Sequence, residues 1–273
     1  MPLPLLGLLL VLPALAVIAL LFMVPLAASV MGAFVVADGF GLANFSKTFE
    51  LYTPDIVFTM MIVSLSTALI GLFAIAIGGY LTLGENPRAV ALLRWLYRWP
   101  MFVPFIVVGQ VLRTFLARNG LMNSALIGAG LITPLQAMSF LDWRGIVIAF
   151  VWKQTPFVAL LVAGAMASVD RGTLEAARNL GASRLRILIE ILVPQVATTL
   201  MVSLVLSFVT MMSVLSVPLM INAQSPTMLT ADIAFRINAY GDYGVANALG
   251  LVSLVISAGA AVFYLRHSVR QRA

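Results

Sequence analysis

Long apolar runs separated by short basic or prolyl segments leave this chain few folds to adopt. A helix needs about 20 apolar residues to cross the hydrocarbon core of a bilayer. Six stretches meet or approach that length: roughly 5–34, 56–83, 99–116, 145–167, 187–221 and 244–265. Of the 273 residues, 62% are hydrophobic and only 10% charged. A soluble domain carries about 25% charged residues, so this chain has too few to cover a water-facing surface. The predicted fold is all-α, a polytopic membrane protein of about six transmembrane helices in one membrane domain over 1–273. The first and fifth runs are over-long and contain Pro13, Pro25, Pro194 and Pro218, which predicts tilts or kinks. Pro100, Pro104 and Arg113 make the third run the least regular.

Six crossings put both termini on one side, and the charges choose the side. One set of loops (84–98, 168–190 and the tail after 265) holds Arg88, Arg94, Arg98, Arg171, Arg178, Arg184, Arg186, Arg266, Arg270 and Arg272. The opposite loops hold only Lys47, Arg118, Arg144 and Arg236, with the acids Asp38, Glu50, Asp55, Asp142, Asp232 and Asp242. The positive-inside rule predicts that the arginine-rich set and both termini are cytoplasmic. The net charge of +6 is therefore accounted for by orientation in a lipid bilayer, and no nucleic-acid partner is expected.

The first run has no basic segment before it and exceeds the ~7–15 residue core of a signal peptide, so it is expected to remain as a span. The absence of cysteine excludes disulfides, thiol catalysis and cysteine-ligated metal. No catalytic constellation and no metal-ligand spacing is found. The single histidine, His267, sits in the basic tail, where a solvated surface position is expected.

The most heavily punctuated stretch is LEAARNLGASRLRILIEILVP, residues 174–194. Asp170 or Thr173 is placed to cap a short helix through Glu175, Ala176, Ala177 and Arg178. Gly181 falls where a left-handed residue would end it, and Ser183 is placed to cap a second helix. Small alanines and outward arginines suit docking into a groove on another protein. An amphipathic linker with its arginines on anionic lipid fits the same residues.

The spacing Glu175-Ala176-Ala177, three residues, Gly181, nine residues, Ile191, two residues, Pro194 resembles the EAA loop of inner-membrane permeases in binding-protein-dependent ABC importers. The resemblance extends from Asn44 to the last run. It departs at Val193, where the family usually has leucine. The resemblance implies that Glu175, Ala176, Ala177, Arg178, Gly181 and Ala182 form a cytoplasmic coupling helix seated in a cleft of an ATPase subunit. It further implies two ATPase subunits, a second permease that is either the same or a homologous chain, and an external solute-binding protein. Closure of the ATPases would drive the permeases from inward-open to outward-open, in a bacterial inner membrane. No G-x-x-x-x-G-K-[ST] phosphate loop occurs in the sequence. No cofactor is thus expected in this chain; ATP and Mg would be bound by the partner ATPase, and the chain itself is no enzyme.

Sugar permeases of this kind typically read E-A-A-x-x-D-G-A. Here Leu180 precedes Gly181, and EAARNLGAS, with ARNGLMN (117–123) and SPTMLTADIAFRI (225–237), is similar to the polyamine, ferric-ion, thiamine and phosphonate permeases. That group is favoured; WKQTPF (152–157) is similar instead to sugar permeases.

Two cations fall within predicted spans, Arg113 and Lys153. A charge at the bilayer centre costs about 2.5–3.5 kcal/mol on insertion scales, so such residues face cavities or partners. Lys153, Gln154 and Arg113 are the candidates for a translocation path, one that would favour an anionic or neutral solute. Otherwise Arg113 snorkels outward and Lys153 pairs with the second permease. The spans are read as holding no acid. An ion-coupled secondary transporter, the rival reading, would need such acids. Trp95, Tyr97, Trp99, Trp143 and Trp152 fit interfacial belts, and Gly78 and Gly79 fit close helix packing.

Overall fold

The computed structural model describes residues 3–37, 39–222 and 224–270, with side chains over 11–37, 39–222 and 224–262. Asp38 and Arg272 lie outside the described residues, as do the side chains of Arg266, His267 and Arg270.

Helix α1 (Leu3–Ile18) continues through a π-helical turn, Ala19–Met23, into α2 (Val24–Phe34). The turn ends two residues before Pro25, whose nitrogen carries no hydrogen for the carbonyl four residues back. One wide turn absorbs the mismatch, and the helix continues. A short ribbon follows, in which Val35 pairs with Phe40 and Val36 with Gly39.

Helix α3 (Ala43–Leu83) has 41 residues, about 60 Å at 1.5 Å per residue. It starts well before the expected 56 and carries Pro54 within it, so Asp55, read above as a loop acid, is helical and buried. Its carboxylate accepts the Thr227 N–H at 2.6 Å, and one turn on the Thr59 hydroxyl accepts the Leu229 N–H at 3.0 Å. Two side chains of α3 thus pin residues 227–229, where the chain enters the next helix. An Asp55→Ala variant is expected to lose about 1–3 kcal/mol, the cost of leaving a buried N–H unpaired. Asp55→Asn, which keeps an acceptor, is expected to recover most of it. Thermal unfolding in detergent checks this; equal midpoints for wild type and Asp55→Ala would contradict it.

Helix α4 (Pro87–Leu96) is capped by the Asn86 side chain, which accepts from the Arg88 and Ala89 N–H groups. A 3-10 turn, Trp99–Phe102, leads to α5 (Phe105–Leu116) and α6 (Leu121–Gly128). The third run is therefore not one straight helix. Its 12-residue α5 rises only about 18 Å, and the arms Pro87–Phe102 and Phe105–Gly128 meet at 107°. Pro100 and Pro104 account for the break, because each removes a helical donor.

Helix α7 (Trp143–Ala167) is capped by Asp142, whose carboxylate also pairs with Arg144 at 2.7 Å. The Arg144 guanidinium holds that carboxyl below the usual carboxylate range. Two short helices follow, α8 (Arg171–Asn179) and α9 (Arg184–Ile187). A second π-helical turn, Leu188–Leu192, precedes α10 (Val193–Ser213) and sits just before Pro194, as the first sits before Pro25.

The fifth run ends at Ser213, earlier than expected, because Val214 is extended. Pro218 has no N–H for the Val214 carbonyl, which the Thr230 hydroxyl satisfies instead at 3.0 Å. Then come α11 (Ser216–Ile221), α12 (Leu229–Phe235), a third π-helical turn and α13 (Tyr243–Arg270). Among the described residues five helices are long and apolar enough to cross a membrane, or up to six if the bent pair is one crossing.

The chain forms two compact units, Met1–Pro54 with Asp232–Ile256 and Asp55–Ala231 with Ser257–Ala273. In the first, the Asn44 amide donates to the Ala33 and Val35 carbonyls, and Ser29 bonds Asn247. Arg236 there lies between the rings of Tyr52 and Tyr240 and pairs with Asp242. In the second unit, Ile62, Ile70, Phe150, Met166 and Met211 are fully or almost fully buried among α3, α7 and α10. Gly78 lets α3 approach Met166 and Val162, and a Cβ at Gly79 would come within 2.7 Å of Leu188.

Candidate coupling loop and intramembrane cations

The loop between α7 and α10 folds as its residues dictate. The Asp170 carboxylate caps α8, accepting from the Thr173 N–H at 2.9 Å and the Thr173 hydroxyl at 3.1 Å. These bonds, with one from the Gly172 N–H, hold its carboxyl below the ordinary value. At the other end Gly181 is left-handed, with φ +82. Its N–H reaches the Arg178 carbonyl and the Ala182 N–H reaches Ala177, at 2.9 and 3.0 Å. That pair of bonds is a Schellman closure. Ser183 then caps α9 through the Arg186 N–H.

The faces of α8 differ. Leu174 is buried and Ala177 half-buried, one turn apart, so this edge packs inward. Glu175, Ala176 and Arg178 are exposed, and Ala182 is half-buried. At the turn, Leu180 is 88% exposed and Leu185 65%. Two bare leucines beside a polar helix are an apolar contact surface that motif matching did not single out. Leu180 is the last residue before the left-handed Gly181, and Leu185 lies on the outer side of α9.

Arg184 forms an ion pair with Glu85 at the end of α3. Arg186 pairs with Glu190 four residues on, at 2.9 Å. Glu190 lies inside the fifth run as drawn above, which corrects the expectation of spans without acids. It sits in the first turns after Ser183, more than half exposed and already ion-paired, so it does not supply an unpaired intramembrane carboxylate.

The two intramembrane cations are each held by backbone carbonyls. Lys153 Nζ donates to the Met101 carbonyl at 2.6 Å and to the Pro100 carbonyl at 3.2 Å, 5.5 Å from the Phe105 ring centre. A regular helix would have given the Pro100 oxygen the N–H of residue 104, which is proline. Arg113 donates to the Met220 carbonyl at 3.2 Å, at the end of α11. Lys153 thus fastens the 3-10 turn ahead of α5 and Arg113 fastens the last turn of α5, and residues 105 and 113 lie about 12 Å apart along its axis. The structure does not gather them at one point. Gln154 and Thr155 follow Lys153 on α7 and are both buried.

Apolar helices long enough to cross a membrane, two of them joined by a capped helix–glycine–helix loop, define a multi-pass membrane protein. The chain belongs to the family of binding-protein-dependent transport system inner membrane components, whose model matches residues 74–271. It is an ABC importer permease subunit of type I, a multi-pass inner membrane protein. It is 28% identical to the trehalose/maltose transport system permease protein MalF of Thermococcus litoralis, over 96% of this chain and 92% of that one. It is 26% identical to the sulfoquinovosyl glycerol permease SmoG of Agrobacterium fabrum, over 96% and 90%. Identity to the spermidine/putrescine permease PotB of Escherichia coli is 30%, over 57% and 56%. In fold it resembles a chain of a bacterial alginate ABC transporter solved with a pentasaccharide-bound periplasmic protein (TM-score 0.80, 20% identity, 96% and 93% covered). A chain of the MetNI methionine transporter is similar at TM-score 0.61 and 16% identity, with 81% and 96% covered.

Proposed function

We propose that this subunit and a second permease, the same or a homologous chain, enclose the path of a small solute delivered by an external binding protein. Two ATPase subunits, which bind ATP and Mg, receive the loop 170–194 in a cleft. Glu175, Ala176, Ala177, Arg178, Gly181 and Ala182 form the coupling surface. The observation that carries this reading is the exposed α8 face, closed by a left-handed Gly181 and flanked by bare Leu180 and Leu185. Lys153, Gln154 and Arg113 are the residues of this chain proposed to lie beside the path.

For the solute, the likeness that runs the whole chain is to permeases named for trehalose/maltose and sulfoquinovosyl glycerol. A carbohydrate or glycoside is therefore the favoured cargo. The polyamine, phosphonate, ferric-ion or thiamine group stands second, supported by Leu180 before Gly181 and by the partial match to PotB. Mass spectrometry of the ligand held by the cognate binding protein decides: a saccharide supports the first reading, and a polyamine or phosphonate replaces it.

The coupling role requires the loop to be cytoplasmic, as ten basic residues against four predict. The chain has no cysteine, so single introduced thiols report cleanly. A cysteine at Ser46 is expected to react with a membrane-impermeant reagent from outside intact cells, and one at Ala89 only after permeabilisation. The opposite pattern would place α8 outside and end the coupling assignment.

A further inference from the structure

Two cavities in the second unit share a pair of arginines. The larger, about 550 Å³, lies among the last turns of α3 and α7, the end of α4 with the residues after it, and α8. Arg94, Arg98, Arg171 and Arg178 line it, with Glu175 as the lone carboxylate. Among the described residues none of these five forms a salt bridge. Arg98 is turned by its Tyr97 neighbour, donating to the buried tyrosine's hydroxyl at 3.1 Å. A cavity with this excess of positive charge is self-repelling, and an anion inside it would relieve the repulsion.

The smaller cavity, about 390 Å³, lies on the other side of the same arginines, among Ala91, Arg94, Trp95, Arg98, Trp99 and Phe102. Positions 91, 94, 95 and 98 recur at helical spacing, and this lining brings two arginines and two tryptophans to one cavity. Trp95 is 69% exposed and Phe102 78%. The larger cavity meanwhile reaches from Ala167 to Leu160 along α7, about 10 Å up the helix. Leu81, Leu160 and Ala163 make that wall apolar. Phosphate oxygens suit the arginines, and acyl chains suit the aromatic groove. Free phosphate would satisfy only the first, and an acidic protein segment would leave the groove bare.

We propose that Arg94 and Arg98, with Arg171 across the cavity, hold the phosphodiester of an anionic phospholipid beside α8. Lipid binding stands on the cavities alone. Its consequence rests on the coupling reading: the bound phosphate neutralises arginines on α8, so the membrane's anionic lipid content sets how well the loop couples to ATP hydrolysis.

The test uses the assembled importer, with its ATPases, in nanodiscs of phosphatidylcholine with or without phosphatidylglycerol. Native mass spectrometry is expected to find phosphatidylglycerol retained over phosphatidylcholine on the wild type. At about fivefold per arginine, an R94Q/R98Q variant should retain roughly 25-fold less, and the lysine pair R94K/R98K should keep most of it. Substrate-stimulated hydrolysis should rise with phosphatidylglycerol in the wild type but not in R94Q/R98Q. Equal retention by wild type and R94Q/R98Q overturns the site. Displacement of the lipid by millimolar inorganic phosphate overturns the lipid in favour of a free anion. Loss of ATPase subunits from R94Q/R98Q in pure phosphatidylcholine overturns it by assigning these arginines to the ATPase contact. The two readings fail separately: if Glu175→Lys couples normally while R94Q/R98Q sheds lipid, the coupling role is wrong and the lipid site stands.

Discussion

Replacing Gly181 with valine is expected to uncouple transport from ATP hydrolysis while leaving membrane insertion intact. The residue's φ of +82 lies where an L-residue costs roughly 1–2 kcal/mol, and a β-branched one is the worst choice. No atom outside its chain neighbours lies within 4 Å of the position a Cβ would take, so the substitution strains the backbone without adding a clash. The Schellman bonds from Gly181 and Ala182 to Arg178 and Ala177 would then open, and Ser183 would lose its register for capping α9. At 1.4 kcal/mol per tenfold, the competent loop should fall by about 5–30-fold, and stimulated hydrolysis and uptake with it. Gly181→Asn is the control, since asparagine enters the left-handed region with less strain, and it should stay near wild type. Glu175→Lys, which inverts a charge on the exposed face, should lower stimulation without disturbing the turn. Wild-type stimulation in both Gly181→Val and Glu175→Lys would end the coupling-helix assignment.

This loop was legible in the sequence because every device in it is local. Asp170, Gly181 and Ser183 act on N–H and C=O groups within four residues, so residue type and spacing suffice to place them. The apolar crossings were legible for the same reason, although proline alone does not announce the π-helical turns that lie ahead of Pro25 and Pro194. What could not be read are the contacts that answer one proline from far along the chain. Nothing near Pro218 points to Thr230 as the donor for the Val214 carbonyl. Nothing near Asp55 marks it as the acceptor for Thr227, 172 residues away. A charge and a proline usually end an apolar run, so Asp55 reads as a loop acid; α3 continues through both, and the buried carboxylate accepts the Thr227 N–H. The bare Leu180 and Leu185 were hidden differently: leucine in an apolar chain carries no signal until a turn aims it outward.

Lys153 tests where a charge within the membrane does its work. Its ammonium already has two carbonyl acceptors, Met101 at 2.6 Å and Pro100 at 3.2 Å, in the break that Pro104 opens. The Val103 N–H still reaches the Pro100 oxygen at 3.2 Å, so the Met101 carbonyl depends most on Lys153. Hydrogen bonds to a charged group are worth about 1.5–3 kcal/mol. Lys153→Met is therefore expected to destabilise the subunit by about that amount, although it removes a charge that is costly to insert into lipid. Bending of the arm that carries α5 should loosen first, seen as faster proteolysis or hydrogen exchange over 99–105. Lys153→Arg, which keeps donors at that depth, should restore part of the loss. A path role makes a different demand: uptake per folded complex falls at unchanged stability, and by more for an anionic solute than for a neutral one. A pairing with an acid on the second permease makes a third, in which assembly weakens and a matching change on that chain restores it. Loss of stability with normal uptake per folded complex would assign Lys153 to the break alone. Unchanged stability, uptake and assembly would contradict the clamp, because the half-buried Met101 carbonyl would then have lost its donor at no cost.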